Sequence, residues 1–322
     1  MRYLQNLNPS YLKGVFSMAR IVPSLWLSKY NPFPRRGNLL LFITNRCNSR
    51  CLICDHWKQK PKDLSIKIIH DLIHSKTISN KSWLIEGGEV FCHPGIDIIL
   101  LMLKTHRVNY TLFSNGIMTD RLIRAVKKYN IKSVNISLDG AKETYKRMRG
   151  YDGHDQVLET IDALKDKTCL AVSFTASPFN TYEDYLYVKD ICEKKNVRLM
   201  FNIYSEAAKT FELNKEGLID ERYEQTSDFP YAIFYNRWVR GEIAVPCYSQ
   251  LFNVSVFPTG DVFNCVCKLH LLGNLHRYSI DRIWNTSLTK YFQRSNILCN
   301  RCWVSCFRQF DVKFALMKGE IK

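Results

Sequence analysis

The chain has 322 residues, 46% apolar and 24% charged, with a net charge of +16. This usage is close to the globular average and excludes a disordered chain or a membrane bundle, and the length suits one large α/β domain with a smaller appendage. No uncharged apolar stretch reaches about eighteen residues, and the N-terminus lacks the charged start, apolar run and cleavage site of a leader, which points to a cytoplasmic protein.

Residues 1–37 form a first piece. "YLKGVFSMARIVPSLWLSKY" mixes Leu, Phe and Trp with Lys13, Arg20 and Lys29. It suits either an interfacial helix broken at Pro23, which would give peripheral membrane contact, or a segment packed over the rest of the fold. From residue 38 to about 235, short β-branched runs alternate with helical periods, the rhythm of βα units around a parallel sheet. Strands are predicted at Leu39 to Thr44, Trp83 to Glu86, Asn109 to Phe113, Ser133 to Leu138, Leu170 to Thr175 and Arg198 to Ile203. Helices are predicted at Leu64 to Ser75, Ile96 to Lys104, Asp120 to Tyr129, His154 to Lys165 and Thr181 to Lys195. The expected fold class is therefore α/β, a partial (β/α)6 TIM-like barrel, with chemistry on loops after the C-terminal strand ends. Residues 236–322 break the rhythm with Pro246, Pro258, Gly260 and Gly273 and hold half of the cysteines. They are expected to form a small cysteine-rich domain.

The positive charge is spread along the chain, as in Lys127 and Lys128, which disfavours nucleic acid and suits an anionic substrate, an acidic electron donor or an anionic surface. Twelve cysteines in a cytoplasmic chain point to metal or catalysis rather than disulfides. "TNRCNSRCLICDHW" packs Cys47, Cys51 and Cys54 into one loop after the first predicted strand. A structural zinc site wants four ligands, whereas cuboidal iron–sulfur clusters are wrapped by cysteine loops of this kind. Three thiolates leave one corner of such a cube open for a small molecule.

"CNSRCLICDHWK" resembles the signature of the radical S-adenosylmethionine (radical SAM) superfamily. The resemblance implies that Cys47, Cys51 and Cys54 hold a 4Fe-4S cluster whose open iron is chelated by SAM, and that reductive cleavage of SAM yields a 5'-deoxyadenosyl radical. Ile53 stands where the family often has an aromatic residue. "LIEGGEVF" brings Gly87, Gly88 and Glu89 to the end of the second strand and is similar to the family motif contacting the SAM amino group, with Val90 replacing its usual proline. "FSNG" with Asn115, "ISLDG" with Ser137 and Asp139, and Arg149 in "YKRMRG" look like the motifs lining the cofactor pocket. Arg149 would pair with the SAM carboxylate; turn and capping roles compete for the others.

In the C-terminal region, "PTGDVFNC" reads as a hairpin presenting Cys265, "CNRCWVSC" adds Cys299, Cys302 and Cys306, and "LGNLHRYSIDRIWN" lies between them. These elements resemble the SPASM/twitch auxiliary-cluster domain. The resemblance implies one auxiliary 4Fe-4S cluster on Cys247, Cys265, Cys299 and Cys302. Cys306 competes for the last place, Cys267 is less favoured, and tetrahedral zinc suits the same four thiolates. Cys92, Cys169 and Cys192 read as ordinary buried thiols.

The expected activity is hydrogen abstraction from, and oxidation or modification of, a small or lipid-linked metabolite, with a flavodoxin- or ferredoxin-type electron donor. Alternatives are a peptide maturase, a tRNA-modifying enzyme and a non-catalytic metal-binding protein. No substrate base stands out: Glu206, Tyr204 and His270 have no distinguishing spacing.

Overall fold

The structure is a computed structural model that describes residues 37–79, 81–210, 217–225, 230–267, 270–295 and 299–321. Apart from Gly37, the N-terminal segment considered above lies outside the described residues. Six strands follow one another in parallel: β1 (Asn38–Thr44), β2 (Ser82–Gly87), β3 (Tyr110–Ser114), β4 (Ser133–Ser137), β5 (Cys169–Ala176) and β6 (Arg198–Ile203). The crossovers carry α1 (Ile66–Ile73), α2 (Ile96–Thr105), α3 (Thr119–Tyr129), α4 (Lys142–Arg149), α5 (His154–Leu164) and α6 (Tyr182–Lys194).

Side-chain alternation explains the curled sheet. On β1, Leu39, Leu41 and Ile43 join the large core beneath the helices, while Leu40 and Phe42 turn to the opposite face and join a second cluster with cysteines of the C-terminal region. Both faces are buried, so the strand reads as an unbroken apolar run, as parallel strands do. On β2, Trp83 and Ile85 face the helices and Leu84 and Glu86 face the lumen. The helices begin and end where local chemistry dictates. Ser65 caps α1 through the Ile68 amide, Thr181 and Asp184 form a reciprocal capping box on α6, and Asn130 closes α3 in the left-handed conformation at φ 55°.

One crossover helix escapes the sequence pattern. α4, "KETYKRMR", buries Tyr145, Met148 and Arg149 and is otherwise charged apart from Thr144. A stripe that narrow, with an arginine in it, carries too little apolar periodicity to read as a helix.

The cysteine-rich region shares the barrel's sheet. β7 (Val254–Val256) pairs in parallel with β1, and β8 (Asp261–Phe263) and β9 (Leu271–Asn274) continue antiparallel, giving the order β6-β5-β4-β3-β2-β1-β7-β8-β9. The hairpin expected at "PTGDVFNC" joins β7 to β8, with Gly260 at φ 81° and its amide donating to the Phe257 carbonyl at 2.8 Å. Short helices α7 (Glu206–Thr210), α8 (Pro230–Ile233), α9 (Tyr235–Val239) and α10 (Ile280–Trp284) lead to α11 (Ser287–Ser295) and α12 (Ser305–Lys318). At the start of α12, Ser305 Oγ accepts from the Ile203 amide of β6 at 3.0 Å. The C-terminal region thus touches both edges of the open six-stranded array, through β7 at β1 and through α12 at β6. Among the described residues, no helix is long and apolar enough to cross a membrane.

Candidate active site and cysteine sites

The loop following β1 is pinned at the start and in the middle of its cysteine run. Arg50 and Leu52 donate their amides to the carbonyls of Arg149 and Met148, both at 2.9 Å, so the end of α4 holds the loop's middle. On the other side, the amides of Gly88 and Glu89 donate to Thr44 and Arg46 at 2.8 Å each. This is why two glycines stand there. A Cβ on Gly87 or Gly88 would overlap the Thr44 or Arg46 carbonyl oxygen, and Gly88 also lies against Cys47, where its Cβ would be 3.0 Å from that of the cysteine. The glycines permit a close backbone approach to the cysteine loop.

Each of the three sulfurs receives a donor. Cys47 Sγ accepts from the Ser49 amide at 3.4 Å, Cys54 Sγ from the His56 amide at 3.5 Å, and Cys51 Sγ from Arg149 Nη1 at 3.8 Å. Burial pushes the Cys47 thiol up to about 12 and the Cys54 thiol up to about 11, so binding a group that takes thiolates releases protons. One buried and two half-buried cysteines with three N–H donors suit a group that demands three thiolates, which is the fit an iron–sulfur cluster requires.

The remaining motif residues form two hydrogen-bonded units around this loop. Glu89 is fully buried, and its carboxylate accepts from the amides of Phe91 (3.2 Å) and Asn115 (2.8 Å) and from Ser114 Oγ (3.0 Å). Asn115 Nδ2 in turn reaches Asn48 Oδ1 at 2.7 Å and Ser49 Oγ at 3.2 Å, inside the cysteine loop. Asp139 and Arg149 form a buried ion pair, with the Thr175 amide completing the carboxylate at 2.9 Å. Burial alone would lower the Arg149 pKa, but Asp139 and the Cys51 sulfur outweigh it and hold the guanidinium charged. Ser137 ends β4 on the lumen face, opposite Ser173 of β5. Glycine at 88 therefore has a direct consequence: Gly88→Ala should displace the loop, cost about 1–3 kcal/mol as overpacking does, and remove half of the bound iron, read by iron counting beside a denaturation curve.

Across the sheet, Cys247, Cys265, Cys267 and Cys302 are buried together with Leu40, Phe42, Phe257, Phe263 and Phe307, and half-buried Cys299 packs against them. The Cys267 thiol lies within hydrogen-bonding reach of both Cys265 and Cys302. Cys265 and Cys267 lie in the turn that follows β8, and sequence reasoning placed Cys267 last among the candidates. Cys299 Sγ accepts from the Arg301 amide two residues on, the pattern seen at Cys47 and Cys54. The backbone of Cys306 lies in α12, and its side chain is outside the described residues. Arg308, 1% exposed, donates to the Cys302 carbonyl at 2.7 Å and brings a cation beside the thiols. A stack of rings, His56 on Phe42 at 5.4 Å and Phe42 on Phe257 at 4.7 Å, joins the two cysteine groups. Among the described residues, no group of three or more His, Cys, Asp or Glu is set for a single metal ion. Of the remaining cysteines, Cys192 is buried as expected, Cys92 is half-buried, and Cys169 is exposed because it opens β5 at the sheet's rim.

A parallel half-barrel whose first loop gathers three thiols, with a second thiol group on the edge of the same sheet, defines an iron–sulfur enzyme. Residues 41–188 match the family model of the radical SAM superfamily and residues 247–303 that of the SPASM iron–sulfur cluster-binding domain, and the chain belongs to the radical SAM superfamily. Its cofactors are accordingly a 4Fe-4S cluster, S-adenosylmethionine and an auxiliary iron–sulfur cluster. The fold is similar to Streptococcus suis SuiB bound to S-adenosylmethionine, with TM-score 0.65 and 16% identity over 84% of this chain and 70% of that one. It is also similar to anSMEcpe with bound AdoMet, with TM-score 0.60 and 15% identity over 81% and 84%. In sequence it is 29% identical over 130 residues to the probable GTP 3',8-cyclase of Thermococcus kodakarensis (39% of this chain, 42% of that one). It is 26% identical over 174 residues to the GTP 3',8-cyclase of Aliarcobacter butzleri (51% and 54%). The chain thus spans about half the length of the curated relatives it matches.

Proposed function

We propose that this radical SAM enzyme removes a hydrogen atom from a small or lipid-linked metabolite seated in the barrel lumen and so oxidises or rearranges it. When bound, the cluster and SAM supply a carbon-centred radical, chemistry that belongs to the cofactor rather than to any side chain. The chain's own contribution is placement. Gly87, Gly88 and the Glu89, Ser114 and Asn115 network fix the cysteine loop at the lumen's mouth, and Arg149 with Asp139 holds it from the α4 side. Cys47, Cys51 and Cys54 are the proposed ligands of the SAM-binding cluster. Cys247, Cys265, Cys299 and Cys302, with Cys306 as their competitor, are proposed for the auxiliary one.

The observation that carries a small substrate is the lumen lining. Glu86, Asn135, Ser173 and Asn202 turn inward from β2, β4, β5 and β6, placing polar groups in a lumen otherwise lined by Leu40, Phe42, Leu84, Phe113 and Met200. The relatives named GTP 3',8-cyclase bring nucleotides into the panel of substrates to test. A net charge of +16 suits an acidic flavodoxin- or ferredoxin-type donor. Anaerobic reconstitution with iron and sulfide, followed by SAM and dithionite, is expected to yield 5'-deoxyadenosine and methionine. A reconstituted, iron-replete protein that leaves SAM intact overturns the assignment.

A further inference from the structure

Among the described residues, two lumen-facing acceptors, Glu86 and Asn135 Oδ1, have no donor. Glu86 stands between Ile85, which faces the helical core, and Gly87, so the pleat turns its carboxylate into the lumen. Among the described residues it has neither a hydrogen bond nor an ion pair, and burial, with no charge or donor to offset it, pushes its pKa up to about 7. Asn135 lies between the core residues Val134 and Ile136, again facing inward, and is 2% exposed. Its Nδ2 donates to the Met200 sulfur at 2.9 Å; a thioether only accepts, which fixes the amide's orientation and leaves Oδ1 without a donor. Asn135 Oδ1 is a buried acceptor left unpaired, which costs stability unless something else donates to it, and the half-buried Glu86 carboxylate faces the same lumen.

The register sets their spacing. Ile85 pairs with Leu112 and Phe113 pairs with Asn135, so Glu86, Phe113 and Asn135 occupy one row on β2, β3 and β4. The outer two are two strands apart, about 10 Å between backbones, with the half-buried Phe113 ring between them. Two acceptors demand a ligand that presents O–H or N–H donors at both ends. An aromatic face between them suits a weakly polar C–H surface. An anionic group would meet two further acceptors and be repelled.

We propose that the lumen holds a sugar-like, polyhydroxylated ring, with Glu86 and Asn135 Oδ1 each accepting from a ring hydroxyl and Phe113 covering the ring's C–H face. This rests on the radical SAM reading and narrows its substrate class.

The test uses the oxidised, SAM-loaded holoenzyme and saturation-transfer NMR with a panel of methyl hexopyranosides, hexose 6-phosphates and methylammonium. At least one methyl hexopyranoside should bind the wild type, and Glu86→Gln and Asn135→Leu should each weaken it roughly tenfold, the value of one lost hydrogen bond to a charged or buried acceptor. A second measurement does not depend on the choice of sugar. Without ligand, Glu86→Gln should raise Tm, because an unpartnered carboxylate is removed from the interior. Binding by methylammonium or by the phosphates alone overturns the proposal, as does equal glycoside binding by the variants, absence of glycoside binding to the wild type, or a fall in Tm. Formation of 5'-deoxyadenosine by the wild type without sugar keeps these outcomes separate from the radical SAM reading. If SAM is cleaved and no glycoside binds, only the substrate class is wrong.

Discussion

Replacing Cys47, Cys51 and Cys54 together by alanine is expected to abolish SAM cleavage while leaving a folded protein with half its iron. Wild type should carry about eight irons per chain and the variant about four, the content of two cubes and of one. The fold should survive because the loop is held by more than its sulfurs. The Arg50 and Leu52 amides bond to α4, and the Gly88 and Glu89 amides donate to the loop's Thr44 and Arg46 carbonyls, all through the backbone. The second thiol group is anchored separately, against Leu40, Phe42 and Phe263 and beneath Arg308. Iron and sulfide analysis with EPR of the reduced protein measures this. Complete iron loss would mean that the two sites assemble as one unit through the ring stack of His56, Phe42 and Phe257. Retention of about eight irons would remove the three cysteines from the ligand set.

How far the sequence could be read depended on the range of the interaction concerned. Period-two and period-3.6 patterns are local, so the six parallel strands and five of their helices could be placed from residues 38–203 alone. α4 could not, since its buried face includes Arg149, whose burial makes sense only once Asp139 and Cys51 stand opposite. The three close-set cysteines likewise marked their site by spacing. The reason for Gly87 and Gly88 did not show, because the atoms a Cβ would strike belong to Thr44 and Arg46, some forty residues earlier in the chain. Pairing of Val254–Val256 with β1 joins segments more than two hundred residues apart, and nothing in "VSV" names its partner. For the same reason the nearness of Cys267 to Cys302 did not show: it depends on how the C-terminal region folds back on itself. Glu86 drew no notice as the last residue of a predicted strand; its inward register and the lack of a partner among the described residues single it out.

Arg149→Leu should be the most destabilising single change around the cysteine loop, by about 3–5 kcal/mol, the cost of stranding one member of a buried ion pair. Asp139 is fully buried, and without Arg149 its carboxylate keeps only the Thr175 amide at 2.9 Å. The same substitution strips Cys51 Sγ of its Arg149 Nη1 donor, so the first cluster should also become the more labile of the two. Arg149 and Asp139 act as a unit, so their effects should not add. Arg149→Leu combined with Asp139→Leu removes both charges and should recover most of the loss, to within about 1–2 kcal/mol of wild type, because paired apolar replacements of buried charges are often near neutral. Backbone support from the Arg149 carbonyl to the Arg50 amide survives in every variant, which confines the comparison to the side chains. Denaturant unfolding of the four proteins measures the coupling. If the two single losses simply sum in the double variant, the pair does not work as a unit, and Arg149 must be supporting the loop through its contact with Cys51 alone.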